Sequence, residues 1–126
     1  MDEKTPKKNK GLMRLVRACG YSYDGFVCAF KNEAAFRQEL FVCAPLAVAA
    51  FALEFPLMTR CVLLLSMLGL LAVELLNSAI EECVNLASPQ LHPLAKRAKD
   101  MASAAVFLAL LWVAAAWAFA LYGLLA

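Results

Sequence analysis

Two glutamates, Glu74 and Glu81, lie inside or directly after an apolar stretch long enough to cross a membrane. A carboxylate at membrane depth is costly unless it is paired, hydrated or bound to a cation, so its presence indicates a functional site. Together with Asn77 and Ser78, the two glutamates are spaced at i, i+3, i+4 and i+7, which places all four side chains on one face of a helix. We expect chemistry along this polar stripe.

Carboxylates from two different helices are suited to Mg²⁺, which proteins hold through one or two carboxylates plus substrate phosphates. Phosphoryl transfer needs positioning, neutralisation of charge, and one group that takes a proton from the nucleophile. Glu74 lies about two helical turns, or roughly 10 Å, deeper than Glu81 and could serve a nucleophile embedded in lipid. Further charged residues are predicted at the same membrane surface: Glu33, Arg37, Glu39, Lys99 and Asp100.

These residues leave two functions of different class open. One is an enzyme that moves a phosphoryl group to a lipid, although the chain has no Walker motif and no soluble-kinase signature. The other is a small ion- or proton-coupled transporter with Glu74 as the proton carrier. A transporter needs polar groups accessible from both sides, yet the far side of the membrane offers only Glu54 and Arg60. This asymmetry favours the enzyme.

The composition predicts one all-α membrane domain. Hydrophobic residues make up 63% of the 126 residues and charged residues 17%, against about 45–50% and about 25% in soluble proteins. We predict a flexible tail at 1–9, an amphipathic helix on the membrane surface at 11–30, and transmembrane helices at 33–55, 60–84 and 97–123. A plain membrane-surface anchor is the simpler role for the first helix. The five cysteines lack paired spacing, so we expect core residues rather than zinc ligands or disulfides.

Lys and Arg residues gather before the first span and between the second and third spans, which predicts a cytoplasmic N-terminus and a cytoplasmic active site. The second loop, Asn85 to Asp100, contains Pro89 and Pro93 and is predicted to be a turn. Lys99 and Asp100 would then open the third span. Three thin helices cannot bury the polar stripe within one subunit, so we also expect a homotrimer.

Four blocks of the sequence resemble the small prokaryotic diacylglycerol kinases, a family of trimeric membrane enzymes. They are ACGYSYDG at 18–25 with Arg14 before it, NEAAFRQE at 32–39, VELLNSAIE at 73–81 and HPLAKRAKDMASAA at 92–105. The family's fold is a surface helix and three transmembrane helices per subunit, with active sites between neighbouring subunits. The resemblance therefore implies that this chain transfers the γ-phosphoryl group of Mg-ATP to diacylglycerol at a bacterial inner membrane, with no nucleic-acid partner.

The resemblance also implies a role for each matched position. Glu74 matches the general base, and Glu33 and Glu81 match the metal-binding carboxylates. Lys99 and Asp100 match residues at the nucleotide phosphates. Further nucleotide contacts are implied for Arg14, Tyr21, Gln90, Leu91 and His92. The lipid substrate is implied to contact Arg14, Ala35, Arg37, Glu39, Glu74, Asn77 and Ser103.

Some positions bear on which branch of the family the chain resembles. A sister group phosphorylates undecaprenol and usually carries an Ile-His-like pair where this chain has Gln38 and Glu39. The block around these residues looks like the diacylglycerol branch, so undecaprenol kinase is the alternative. Two residues depart from the family pattern: Asn85 replaces a frequent aspartate, and Leu91 replaces an aromatic residue before the histidine.

Overall fold

The structure, a computed structural model, describes residues 10–126, so the flexible tail predicted at 1–9 lies outside the described residues. Four α-helices follow one another: α1 Leu12–Asn32, α2 Ala34–Ala52, α3 Leu57–Ala87 and α4 Pro93–Leu125. The last three are long and apolar enough to cross a membrane. The predicted all-α fold, with an amphipathic N-terminal helix before three spans, is confirmed.

The helix lengths agree with a membrane protein whose longer helices extend past the bilayer. The 19 residues of α2 span roughly 28 Å, close to the thickness of the hydrocarbon core. The 31 residues of α3 and the 33 residues of α4 span roughly 46 and 50 Å, so both helices continue into the aqueous phase. Their bounds exceed the predicted spans 60–84 and 97–123 at both ends.

The connection between α3 and α4 is shorter than the predicted turn at 85–100. It consists of residues 88–92, because α3 continues to Ala87 and α4 already begins at Pro93. Proline is compatible with the first helical position, where its missing N–H has no helical partner. His92 is the N-cap, and its Nδ1 accepts a hydrogen bond from the Leu94 N–H at 3.1 Å. The expectation that Lys99 and Asp100 open this helix is therefore wrong; they lie in its second turn.

The core is centred on α3, which packs most extensively against α4 and also contacts α2, while α1 packs on α2. Gly69 of α3 lies directly under the ring of Trp112 on α4, and a Cβ atom at this glycine would be 2.5 Å from the Trp112 side chain. Small residues let membrane helices approach closely. The resulting core contains two buried apolar clusters, formed by Cys43, Met67, Leu70, Ala109 and Val113, and by Ala50, Phe55, Leu63 and Ala120.

Arg60 joins α2 to α3 at the end remote from the polar stripe. Its Nε donates to the Ala50 carbonyl at 2.8 Å and its Nη2 donates to the Leu53 carbonyl at 3.2 Å. The last carbonyl groups of a helix have no partner within that helix, so these hydrogen bonds close the end of α2. Arg60, in the first turn of α3, therefore helps to hold the α2–α3 hairpin together.

Candidate functional site

The polar stripe of α3 is largely buried inside a single chain. Glu74 is 3% exposed and Ser78 is 8% exposed, while Asn77 and Glu81 are half-buried. The expectation that one subunit cannot bury this stripe is therefore wrong for Glu74 and Ser78. The reason is that α2 and α4 both pack on α3 and that α1 adds a wall beside Ser78.

Glu39 of α2 is the immediate neighbour of Glu74, since the two carboxyl groups face each other between α2 and α3. Three buried oxygens in this region have no hydrogen-bond partner among the described residues: Glu39 Oε2, Asn77 Oδ1 and Ser78 Oγ. Buried polar atoms are normally satisfied, and leaving one unpaired costs about 1–3 kcal/mol. These unpaired oxygens leave hydrogen-bond acceptors available to a polar ligand in one region of the helix bundle.

A cleft of about 740 Å³ separates α1 from α3 and contains two carboxylates, Glu33 and Glu82. Glu33 is the single residue between α1 and α2, where the backbone turns in an extended conformation. The unpaired hydroxyl of Ser78 lines the same cleft. Sequence reasoning missed Glu82, although its spacing of four residues from Ser78 places both on one side of α3.

Glu81 does not line this cleft. Within one chain, the two carboxylates implied to bind the metal ion are thus not brought into a common cavity. No group of three potential His, Cys, Asp or Glu ligands converges anywhere in residues 10–126. The physical reason is that Glu81 and Glu82 differ by about 100° around the helix axis, so that only one of them points towards α1.

The residues implied to bind nucleotide phosphates do gather around the loop between α3 and α4. A pocket of about 280 Å³ is lined by Gln90, His92, Lys99 and Asp100, with Asn85 and Lys96 beside them. Lys96 forms an ion pair with Asp100 at 2.6 Å. Lys99 Nζ donates to Asn85 Oδ1, also at 2.6 Å. Two lysines and the N-terminus of a helix give this pocket the character of an anion site.

The positions implied to line the lipid site are not collected in one cavity. Glu39 borders an apolar cavity of about 410 Å³ between α2, α3 and α4, whereas Ala35 and Ser103 are exposed on the surface. Arg37 is turned towards α1, where its Nη1 donates to the carbonyl oxygens of Phe30 and Lys31. On α1 itself, Arg14 and Tyr21 are exposed.

The chain is similar to known proteins over the segments that carry the buried Glu74 and the loop pocket. A family model described as prokaryotic diacylglycerol kinase matches residues 20–121. The chain belongs to this family. A diacylglycerol kinase of Pseudomonas aeruginosa is 46% identical over 117 residues, which cover 93% of this chain and 95% of the relative.

Two further relatives extend this result. A diacylglycerol kinase of Escherichia coli strain K12 is 41% identical over 112 residues, covering 89% of this chain and 92% of the relative. A diacylglycerol kinase of Helicobacter pylori strain J99 is 40% identical over 116 residues, which cover 92% of this chain and 91% of the relative. The family match over residues 20–121 thus includes residues of all four helices, together with Glu33 and the polar stripe from Glu74 to Glu81. The resemblance inferred from the four sequence blocks is confirmed.

Proposed function

We propose that the protein transfers the γ-phosphoryl group of ATP to the hydroxyl of diacylglycerol and so produces phosphatidic acid. The observation that carries this proposal is the buried Glu74 carboxylate at membrane depth in a member of the prokaryotic diacylglycerol kinase family. The relatives that match over about nine-tenths of the chain are named diacylglycerol kinases. In this proposal the lipid hydroxyl approaches Glu74 from the bilayer, and ATP approaches from water.

In this proposal Glu74 accepts the proton of the lipid hydroxyl while that oxygen forms a bond to the γ-phosphorus. The bond from the γ-phosphorus to its bridging oxygen breaks, and ADP leaves with the bond electrons. Glu39 lies beside Glu74 and borders the apolar cavity, so it is suited to orient the glycerol part of the lipid. Asn77, one turn from Glu74, has a free oxygen that can accept a second hydrogen bond.

The loop pocket is the proposed site of the nucleotide phosphates. Lys99 would neutralise phosphate charge there, and the free nitrogen of His92, Nε2, would donate to a phosphate or ribose oxygen. Gln90 and Asp100 line the same pocket. The exposed Arg14 and Tyr21 of α1 would complete the site from the membrane surface.

Mg²⁺ is the proposed cofactor, held by Glu33 and Glu81 together with the nucleotide phosphates. Carboxylate oxygens such as those of Glu33 and Glu81 are the hard donors that this ion prefers. The unpaired hydroxyl of Ser78 adds a further oxygen in the cleft that contains Glu33. The ion would withdraw charge from the phosphates during transfer. Because Glu33 and Glu81 do not share a cavity within one chain, we assign them to different subunits of the homotrimer, so that the site forms between neighbours.

The membrane orientation follows from the same assignments. Lys and Arg residues cluster before α2 and in the first turns of α4, which supports a cytoplasmic N-terminus and a cytoplasmic loop pocket in a bacterial inner membrane. ATP is present on that side. The short connection of residues 53–56 would lie on the opposite side, where Arg60 is already engaged with α2.

The decisive experiment is an assay of the purified protein in detergent or lipid with Mg-ATP and two competing acceptors, diacylglycerol and undecaprenol. We expect phosphatidic acid as the main product and undecaprenol as a poor acceptor. Equal or faster phosphorylation of undecaprenol would reassign the protein to the sister branch. If neither lipid is phosphorylated, ion-flux measurements in proteoliposomes would test the transporter instead.

A further inference from the structure

Lys99 is held by a residue that has no assigned role. Its ammonium group donates to the side-chain oxygen of Asn85 at 2.6 Å, which links the last turn of α3 to the second turn of α4 across the loop of residues 88–92. Lys99 is half-buried, and both residues line the loop pocket. The hydrogen bond therefore sets where the positive charge lies in this pocket.

The two lysines of the pocket differ in the partner that each has. Lys96 is paired with the carboxylate of Asp100, so its charge is matched. The partner of Lys99 is a neutral amide oxygen, and no carboxylate among the described residues forms a salt bridge with it. An ammonium group has three N–H donors, and Asn85 engages one of them. Lys99 is thus fixed in position and keeps both its charge and two donors for an anion.

We propose that Asn85 is a positioning residue for the nucleotide, which orients the Lys99 ammonium towards the phosphates without neutralising it. The inference rests on the proposed use of ATP, and it names Asn85 as a residue that determines how tightly the protein binds ATP. An aspartate at position 85 would keep an oxygen acceptor at the same place. It would also form an ion pair with Lys99 and compete with the phosphates for the ammonium group.

The test compares Asn85→Asp with Asn85→Ala by measuring the Kd of Mg-ATP by calorimetry and the KM of ATP. Asn85→Asp should weaken binding by about two- to fivefold at low ionic strength, the range expected for an exposed ion pair. This loss should shrink as salt is added, because salt screens the new charge. Asn85→Ala removes the acceptor but adds no charge, so its weakening should not respond to salt. The kcat at saturating ATP should stay within about twofold of the starting protein in both, because the lipid-side residues are untouched.

Leu86→Asp is the matched control, because it adds the same charge one residue along on a side chain that is 86% exposed and does not line the pocket. Its Kd should stay near that of the unmodified protein. In a Lys99→Met background, Asn85→Ala should cause no further loss of nucleotide binding, because there is then no ammonium group for Asn85 to orient. Unchanged affinity in Asn85→Asp, or an equal effect of Leu86→Asp, would overturn the inference.

Failure of the inference is distinguishable from failure of the proposed function, because binding of Mg-ATP is measured without any lipid acceptor. A protein that binds Mg-ATP but phosphorylates another lipid leaves the role of Asn85 intact. A protein that binds no Mg-ATP at all would overturn both.

Discussion

The guanidinium group of Arg37 donates a hydrogen bond to the carbonyl oxygen of Phe30 at 2.8 Å and extends to the Lys31 carbonyl at 3.1 Å. Both carbonyl groups lie in the last turn of α1, where a helix leaves carbonyl oxygens without partners. A residue in the first turn of α2 therefore closes the end of the surface helix. This contact fixes the angle between α1 and α2, and with it the position of Glu33 between them.

Replacing Arg37 by Gln should loosen α1 from α2, because the glutamine side chain is two bonds shorter than arginine and carries no charge, so its amide does not reach the two carbonyl groups that Nη1 serves. We expect faster amide hydrogen exchange at residues 28–33 together with lower activity. Arg37→Lys should be intermediate. Arg17→Gln, which removes an exposed arginine of the same helix, should leave the exchange rates unchanged. A raised KM for the lipid with normal exchange in α1 would instead indicate direct lipid contact by Arg37.

Subunit mixing tests whether the site is shared in a trimer. Glu33→Gln and Glu74→Gln subunits, each inactive alone, should regain part of the activity after they are unfolded together and reassembled. The reason is that some interfaces then combine an intact Glu33 from one subunit with an intact Glu74 from its neighbour. Recovery should be absent when a Glu33→Gln, Glu74→Gln double variant is mixed with either single variant. No recovery despite verified mixing would favour sites contained in single chains.

His92 has a structural role that can be separated from its proposed nucleotide contact. Its Nδ1 caps α4 through the Leu94 N–H, which leaves Nε2 as the free nitrogen. Asparagine is also a good N-cap, whereas alanine costs about 0.5–2 kcal/mol. We therefore expect His92→Asn to retain thermal stability and kcat while the KM of ATP rises, and His92→Ala to lose stability as well. An unchanged KM in His92→Asn would restrict His92 to capping.

The three spans were predictable from the apolar stretches, the first of them once the helix is begun near Glu33. The surface helix was predictable from the helical spacing of its apolar residues. The loop at 85–100 was predicted too long, because Pro93 is equally compatible with a turn and with the first position of a helix. Sequence indicates a helix face by spacing, so the position of Glu74 on the polar stripe followed directly. Hydrogen bonds between helices, such as Lys99 with Asn85, depend on the packing angle and have no comparable signature.

Burial of the polar stripe, like hydrogen bonds between helices, depends on packing and could not be predicted from residue spacing. Counting three thin spans suggested that Glu74 would need a neighbouring subunit to cover it, yet α2 and α4 already bury it within one chain. The case for shared sites therefore depends on the separation of Glu33 from Glu81 rather than on burial. Glu81 and Glu82 are adjacent in sequence, and the direction in which each points depends on where α1 lies against α3.

Replacement of Glu74 should lower the catalytic rate without changing the assembly of the protein. Glu74→Gln preserves the shape of a side chain that is 3% exposed but removes the ability to accept a proton. General base catalysis contributes about 10² to 10⁴ in rate, so kcat should fall by a factor in this range. Binding of Mg-ATP should stay near normal, because the loop pocket does not include Glu74.

Glu33→Gln and Glu81→Gln provide the contrast, since loss of a carboxylate ligand should weaken Mg²⁺ and nucleotide binding together. Glu82→Gln tests the additional carboxylate of the α1–α3 cleft, and we expect it to change the Mg²⁺ dependence less than Glu81→Gln does. Oligomeric state is measured for each variant by chromatography with light scattering in detergent. Substantial activity in Glu74→Gln, or inactivity accompanied by dissociation of the oligomer, would move the proton-accepting role to Asp100, which already lines the loop pocket.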